Sequence, residues 1–169
     1  METTIGTRTT TKKNSQEDPS SDQSDSKILP YVVKSRFGNV SLSKETALHF
    51  PQGILGLSEP MNCCLVDLPG YNDSPFKLLQ CFENETLCFI VLPTLFENRF
   101  LERGDVLEAC ESFNLRPECI KLLFIVTIHK STPSKQFSLN VKAPILLDTN
   151  SKVARQFIFR MREFEQMEM

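Results

Sequence analysis

Ser74-Pro-Phe-Lys-Leu-Leu-Gln-Cys-Phe-Glu-Asn-Glu-Thr-Leu-Cys-Phe-Ile-Val-Leu-Pro-Thr-Leu-Phe96 decides the fold class. Two apolar, aromatic-rich runs, Phe76 to Phe82 and Leu87 to Leu92, are split by the polar Glu83-Asn84-Glu85-Thr86. Short apolar runs on either side of a polar turn read as a β-hairpin. Pro75 and Pro93 fall outside the two runs, where a lost ladder donor is tolerated. The tip carries no nucleophile with an activating base, so the stretch points to a binding scaffold rather than an active site.

The flanking sequence has the same texture. Tyr31-Val32-Val33 and Phe37, then Val40 and Leu42 among polar Asn39, Ser41 and Ser43, follow a period of two, with Gly38-Asn39 as the turn signal. Phe50-Pro51-Gln52-Gly53-Ile54-Leu55-Gly56-Leu57 is too interrupted for a helix or a central strand, and Cys63 to Leu68 is a short strand ended by Pro69-Gly70. One short helix is expected, capped at Gly104-Asp105, with Val106, Leu107, Cys110 and Phe113 at helical spacing before Pro117. Three further strands follow: the apolar run Ile120 to Ile128, then Gln136 to Leu147 with a bulge or edge at Ala143-Pro144, and Val153 to Phe159. Ser131 to Ser134 is the turn after the first of these. Many short strands with turns between them predict a mainly β fold, a compact antiparallel β-barrel or sandwich-like single domain.

With 169 residues, 40% of them hydrophobic and 24% charged, the chain suits one globular domain plus a tail. Residues 1–27 are dominated by Thr, Ser, Lys, Asp and Gln and cannot bury enough surface to offset the entropy of ordering. A disordered N-terminal tail, a domain over residues 28–160 and a short C-terminal extension over residues 161–169 are expected. The formal net charge of −2 gives no basic field, which argues against a direct nucleic-acid partner. There is no signal-like apolar run at the N-terminus, and no apolar stretch is long enough to span a bilayer, so a cytoplasmic protein without a membrane contact is expected. In that compartment the six cysteines are reduced thiols, and the glycosylation patterns at Asn39, Asn72 and Asn84 carry no weight.

Little in the sequence supports catalysis. His49 and His129 lie in no motif that supplies an orienting partner, and both read as strand-end histidines. Adjacent Cys63 and Cys64, and the distant Cys110 and Cys119, lack the paired spacing of a zinc site. No phosphate loop follows Gly53 and Gly56, so neither metal nor cofactor is expected. A hairpin turning on Asn84-Glu85 sets Cys81 opposite Cys88, and these two are read as reduced core thiols.

Five segments in order carry a resemblance. They are Arg36-Phe37-Gly38-Asn39-Val40, the Phe50 to Leu57 loop, Ser74 to Gln80, Cys88-Phe89-Ile90-Val91, and Asn140-Val141-Lys142-Ala143-Pro144-Ile145. Together they resemble the bacterial flagellar assembly factor family FliW from about Ser35 to Phe159. The resemblance implies a non-enzymatic cytoplasmic β protein that binds the translational regulator CsrA, relieves its repression of flagellin messenger RNA, and also binds flagellin. The chain departs from the family pattern at Leu55-Gly56-Leu57, where Pro-Gly-Phe is usual, and at Leu78, where an aromatic is usual. It departs again after the last strand, where Met161, Phe164 and Met167 recur every three residues.

For partner contact the first candidates are the acidic tip Glu83, Asn84 and Glu85, and Phe96 with Glu97 and Asn98; Asn140, Lys142 and Pro144 come second. Each has a plainer alternative: a solvated tip, a core phenylalanine, a proline that protects a sheet edge. Two other functions stay open on sequence alone. One is a thiol-dependent enzyme with a low-pKa cysteine near a histidine, and the other is an interaction adaptor unrelated to flagella.

Overall fold

The computed structural model describes residues 31–71, 73–129 and 136–160. The expected tail (1–27), C-terminal extension (161–169) and 131–134 turn lie outside the described residues. In chain order the strands are β1 Tyr31–Ser35, β2 Gly38–Leu42, β3 Leu48–Phe50, β4 Met61–Asp67, β5 Lys77–Cys81 and β6 Cys88–Leu95. Helix α1, Arg103–Ser112, follows, then β7 Ile120–His129, β8 Gln136–Leu139, β9 Ile145–Asp148 and β10 Val153–Gln156.

Seven strands close on themselves. The order β6-β5-β4-β3-β10-β9-β7 returns to β6 through the pairing of Val91 with Ile125 and of Leu95 with Lys121. Closure removes the unpaired edges that an open sheet of this length would expose. β7 makes it possible by being long. Its first part lies between β6 and β9, and its last four residues run on to pair with β8. The expected mainly β barrel with one helix is therefore what forms, with one junction, β3 to β10 through His49 and Val153, parallel rather than antiparallel.

Three clusters hold the barrel. Its interior is filled from every one of the seven strands, by residues that include Phe50, Cys63, Leu79, Val91, Leu123, Ile145 and Ala154. On one outer face, α1 packs Val106, Ala109 and Cys110 against Leu122, Phe124 and Leu146. On another, the β1–β2 hairpin lays Val33, Val40 and Leu42 over Cys64, Leu78 and Ile90. β7 thus buries Leu123 inward and Leu122 and Phe124 outward, which is why it reads as a continuous apolar run instead of an alternation.

Several local expectations are corrected. The first hairpin turns on Arg36-Phe37, not Gly38-Asn39: Ser35 Oγ accepts from Phe37 N at 3.1 Å and donates to the Gly38 carbonyl at 2.7 Å. A hydroxyl-built turn outcompetes the glycine signal there. Pro93 lies inside β6, paired to Leu123. The missing donor is tolerated because the β5 pairing ends at Val91. The run Gln136 to Leu147 is two strands, split where Asn140 Oδ1 accepts from Ala143 N at 3.0 Å and Asn140 N donates to Ile125 O at 2.8 Å. Helix α1 starts before Gly104-Asp105, with Glu102 at its cap and no side-chain bond there; Asn98 Oδ1 instead holds the preceding turn through the Phe100 and Leu101 amides. The last strand ends at Gln156, although Phe157 N and Phe159 N still donate to the carbonyls of Pro144 and Lys142.

Candidate partner-binding surface

The Glu83 to Thr86 tip is exposed, and its backbone is built by its own side chains. Asn84 Oδ1 accepts from Thr86 N at 3.0 Å and from Thr86 Oγ1 at 2.7 Å, an Asx turn that folds the tip back so that Leu87 N reaches the Asn84 carbonyl. Beneath it Gln80, fully buried, turns its amide nitrogen toward the carbonyls of Cys81, Glu85 and Leu87 at 3.0–3.2 Å and of Asn84 at 3.4 Å. Two N–H groups shared among four acceptors hold the tip from below.

Two more contacts tie the tip sideways. Glu83 accepts from the Asn62 amide nitrogen at 2.7 Å, from Asn62 N at 3.1 Å and from Cys81 Sγ at 3.2 Å, while Glu85 accepts from Tyr31 Oη at 3.2 Å. Partial burial works to raise the Glu83 pKa, but the Asn62 and Cys81 hydrogen bonds outweigh it and hold the carboxyl below its ordinary range. Because the folded value is the lower one, the stabilisation is complete above the ordinary glutamate pKa and is lost as pH falls through the folded value. Glu83→Gln should therefore lower the thermal midpoint at neutral pH and change it progressively less on acidification. Parallel curves for the two proteins in a pH series of melts would contradict the latch.

The other sequence-derived candidates do not join the tip. Phe96 is half-buried against the helix-side cluster, with the Arg103 guanidinium 5.3 Å above its ring and Arg103 paired to Glu97. It lies beyond the far end of β6, a strand of eight residues that spans roughly 25 Å and starts beside the tip. Asn140 and Lys142 are exposed in the β8–β9 connection, whereas Pro144 is buried and accepts from Phe157 N, so it offers no contact surface.

An apolar groove went unread in the sequence. Phe37, Leu68, Tyr71, Ile90, Ile128 and Phe137 line a cavity of about 430 Å³, with Tyr71 59%, Ile128 48% and Phe37 42% exposed. Phe76 meets Phe137 edge-on at 5.1 Å on its wall. The available signal was Ile128, an apolar residue that β7 carries past Ile125, the last residue it pairs with β6.

The thiols and histidines are placed differently from an activated pair. His49 Nδ1 bonds Asn62 Oδ1 at 3.1 Å and His129 Nε2 bonds Ser138 Oγ at 2.9 Å. All six cysteines are free, but Cys88 and Cys119 are only half-buried, and Asn150 Nδ2 lies 3.0 Å from Cys119 Sγ. Burial pushes the Cys63, Cys81 and Cys110 thiols up, the opposite of nucleophile activation. Among the described residues no group of three His, Cys, Asp or Glu side chains is arranged to hold a metal, and no helix is long and apolar enough to cross a membrane.

A family model described as FliW protein matches residues 31–168. The chain belongs to the FliW family. Among its FliW relatives, the flagellar assembly factor of Bdellovibrio bacteriovorus is 32% identical over 133 residues, covering 76% of this chain and 72% of that protein. That of Leptospira interrogans is 31% identical over 128 residues, covering 73% of this chain and 81% of its own. A crystal structure of the flagellar assembly factor FliW superposes with a TM-score of 0.58 over 80% of this chain and 94% of that one, at 20% identity, a likeness of fold. The FliW match takes in the barrel, α1 and the β1–β2 hairpin together.

Proposed function

We propose that this flagellar assembly factor works in the cytoplasm, without catalysis, by partner exchange: it binds CsrA, relieving repression of flagellin translation, and unassembled flagellin competes for it. Family membership across residues 31–168 carries this reading. Glu85 of the acidic tip supplies the CsrA contact, since a cationic RNA-binding protein is steered toward carboxylates held on a prearranged backbone. Glu83 shapes the tip instead of touching the partner, because its carboxylate is already occupied by Asn62 and Cys81. The groove between Phe37 and Phe137 suits flagellin, whose subunit-contact surfaces stay uncovered until it polymerises.

Glu85→Lys should weaken CsrA binding about five- to tenfold, mostly through the association rate and with a flattened salt dependence. Tyr31→Phe, which removes the bond to Glu85 but keeps the charge, should leave affinity within about twofold. Unchanged calorimetric affinity of folded Glu85→Lys would remove the tip from the interface. Retention of flagellin but not CsrA from a cell extract would sink the exchange.

A further inference from the structure

Cys63 and Cys81 are direct cross-strand partners in the β4–β5 pair. Phe82 N donates to the Asn62 carbonyl at 2.9 Å, which makes Asn62 and Phe82 a hydrogen-bonded pair, so the next pair along the ladder, Cys63 and Cys81, is a non-hydrogen-bonded one. The Cys81 amide confirms the phase by pointing the other way, to the Leu87 carbonyl at 3.0 Å. At such positions facing Cα atoms come within about 4.5 Å and the side chains stand closer than at the hydrogen-bonded sites, inside the range a disulfide spans. Both side chains point into the barrel interior, where they are 1% and 2% exposed. By contrast Cys88 opposes Gln80, so the hairpin register sets Cys81 and Cys88 on opposite faces of the sheet. Cys64, next to Cys63, faces the β1–β2 hairpin instead, where its Sγ donates to the Ser43 carbonyl at 3.2 Å.

We infer that Cys63 and Cys81 form an oxidisable dithiol, a site where a small peroxide installs an intramolecular disulfide across β4 and β5. Cys81 is the attacking group, because its Sγ donates to the carboxylate of Glu83, an exposed residue, at 3.2 Å, which gives its proton an acceptor at the surface. The proton passes to Glu83, the Cys81 sulfur attacks the peroxide O–O bond, and hydroxide leaves with a sulfenic acid on Cys81. The Cys63 sulfur then displaces the second hydroxide, so that the S–S bond forms as the S–O bond breaks. In sum two thiols and one hydrogen peroxide give one disulfide and two waters. The upward push that burial gives both thiols keeps the pair reduced against mild disulfide exchange, and slow oxidation follows from it.

The full chain, treated under native conditions with hydrogen peroxide and then alkylated and digested, tests this directly. The expected product keeps four alkylatable cysteines, has lost about two hydrogens in mass, yields one linked peptide joining Cys63 to Cys81, and reverts with a dithiol reductant. Cys63→Ala and Cys81→Ala, each checked for a cooperative melt, should abolish the linked peptide. Six intact thiols after a treatment that oxidises the thiols of the urea-unfolded chain, or a link through Cys64, Cys88 or Cys119 in place of this one, would overturn the inference.

Discussion

Gly53→Ala is expected to lower unfolding free energy by about 4 kcal/mol, a larger loss than an ordinary loop substitution brings. Gly53 has φ +67°, and a Cβ built on it falls 1.9 Å from the Leu57 carbonyl oxygen and 2.7 Å from that of Glu59. Neither obstacle is a side chain that can rotate away. The Leu57 carbonyl is also the acceptor of Ile54 N at 3.0 Å, in a small ring completed by Leu57 N to Ile54 O at 2.7 Å. That ring turns Ile54 into the barrel interior, and Gln156 ties the loop to β10 by accepting from Leu55 N at 2.8 Å. Relieving the clash therefore moves an interior side chain as well as a loop. Gly56→Ala is the matched control: its φ is +87° but a Cβ there meets nothing within 4 Å, so only backbone strain of about 1 kcal/mol is expected. Urea unfolding of the two variants checks both values, and similar midpoints would show that the close approach at Gly53 is relieved without loss.

The contrast between these glycines shows what the sequence can carry. Phe50-Pro51-Gln52-Gly53 reads as a shaped loop, and the hairpin around Glu83 to Thr86 reads as a hairpin, because each depends on residues within a few positions of one another. Ring closure depends on β6 meeting β7, about thirty residues away, and no local pattern reports a non-local pairing. The same applies to the parallel contact of His49 with Val153. The site divides along that line. The tip's position and exposure were legible, but its latches were not, since Asn62 and Tyr31 come from other strands and Gln80 is a buried amide within an apolar run. Pro144 was misplaced because a proline in an extended stretch looks like an edge device until the covering segment after β10 is known. The cysteine register failed for a smaller reason: a shift of one residue in the hairpin exchanges every side chain between faces, and it sets Leu87 instead of Cys88 against Cys81, whose cysteine neighbour, Cys63, comes from β4 on the other side.

Phe124→Ala tests whether the second cluster is structural or only covers the barrel. The ring is fully buried, meets Phe100 edge-on at 5.2 Å, and lies on β7 opposite Leu92, so it joins the closing strand pair to the segment that leads into α1. Truncation removes a large apolar surface and leaves a cavity whose walls are two hydrogen-bonded strands on one side and a helix on the other. The strands cannot collapse without opening the ring, so relaxation has to come from α1. The expected loss is about 3–5 kcal/mol, against less than about 0.5 kcal/mol for Leu95→Ala, whose side chain is 68% exposed. Hydrogen exchange should localise the response: α1 amides lose protection first, while those of β4 and β5, on the far side of the ring and covered by the β1–β2 hairpin, retain theirs. Uniform loss across the domain would mean that the helix-side cluster and the barrel interior open as one unit, with β7 as the element they share.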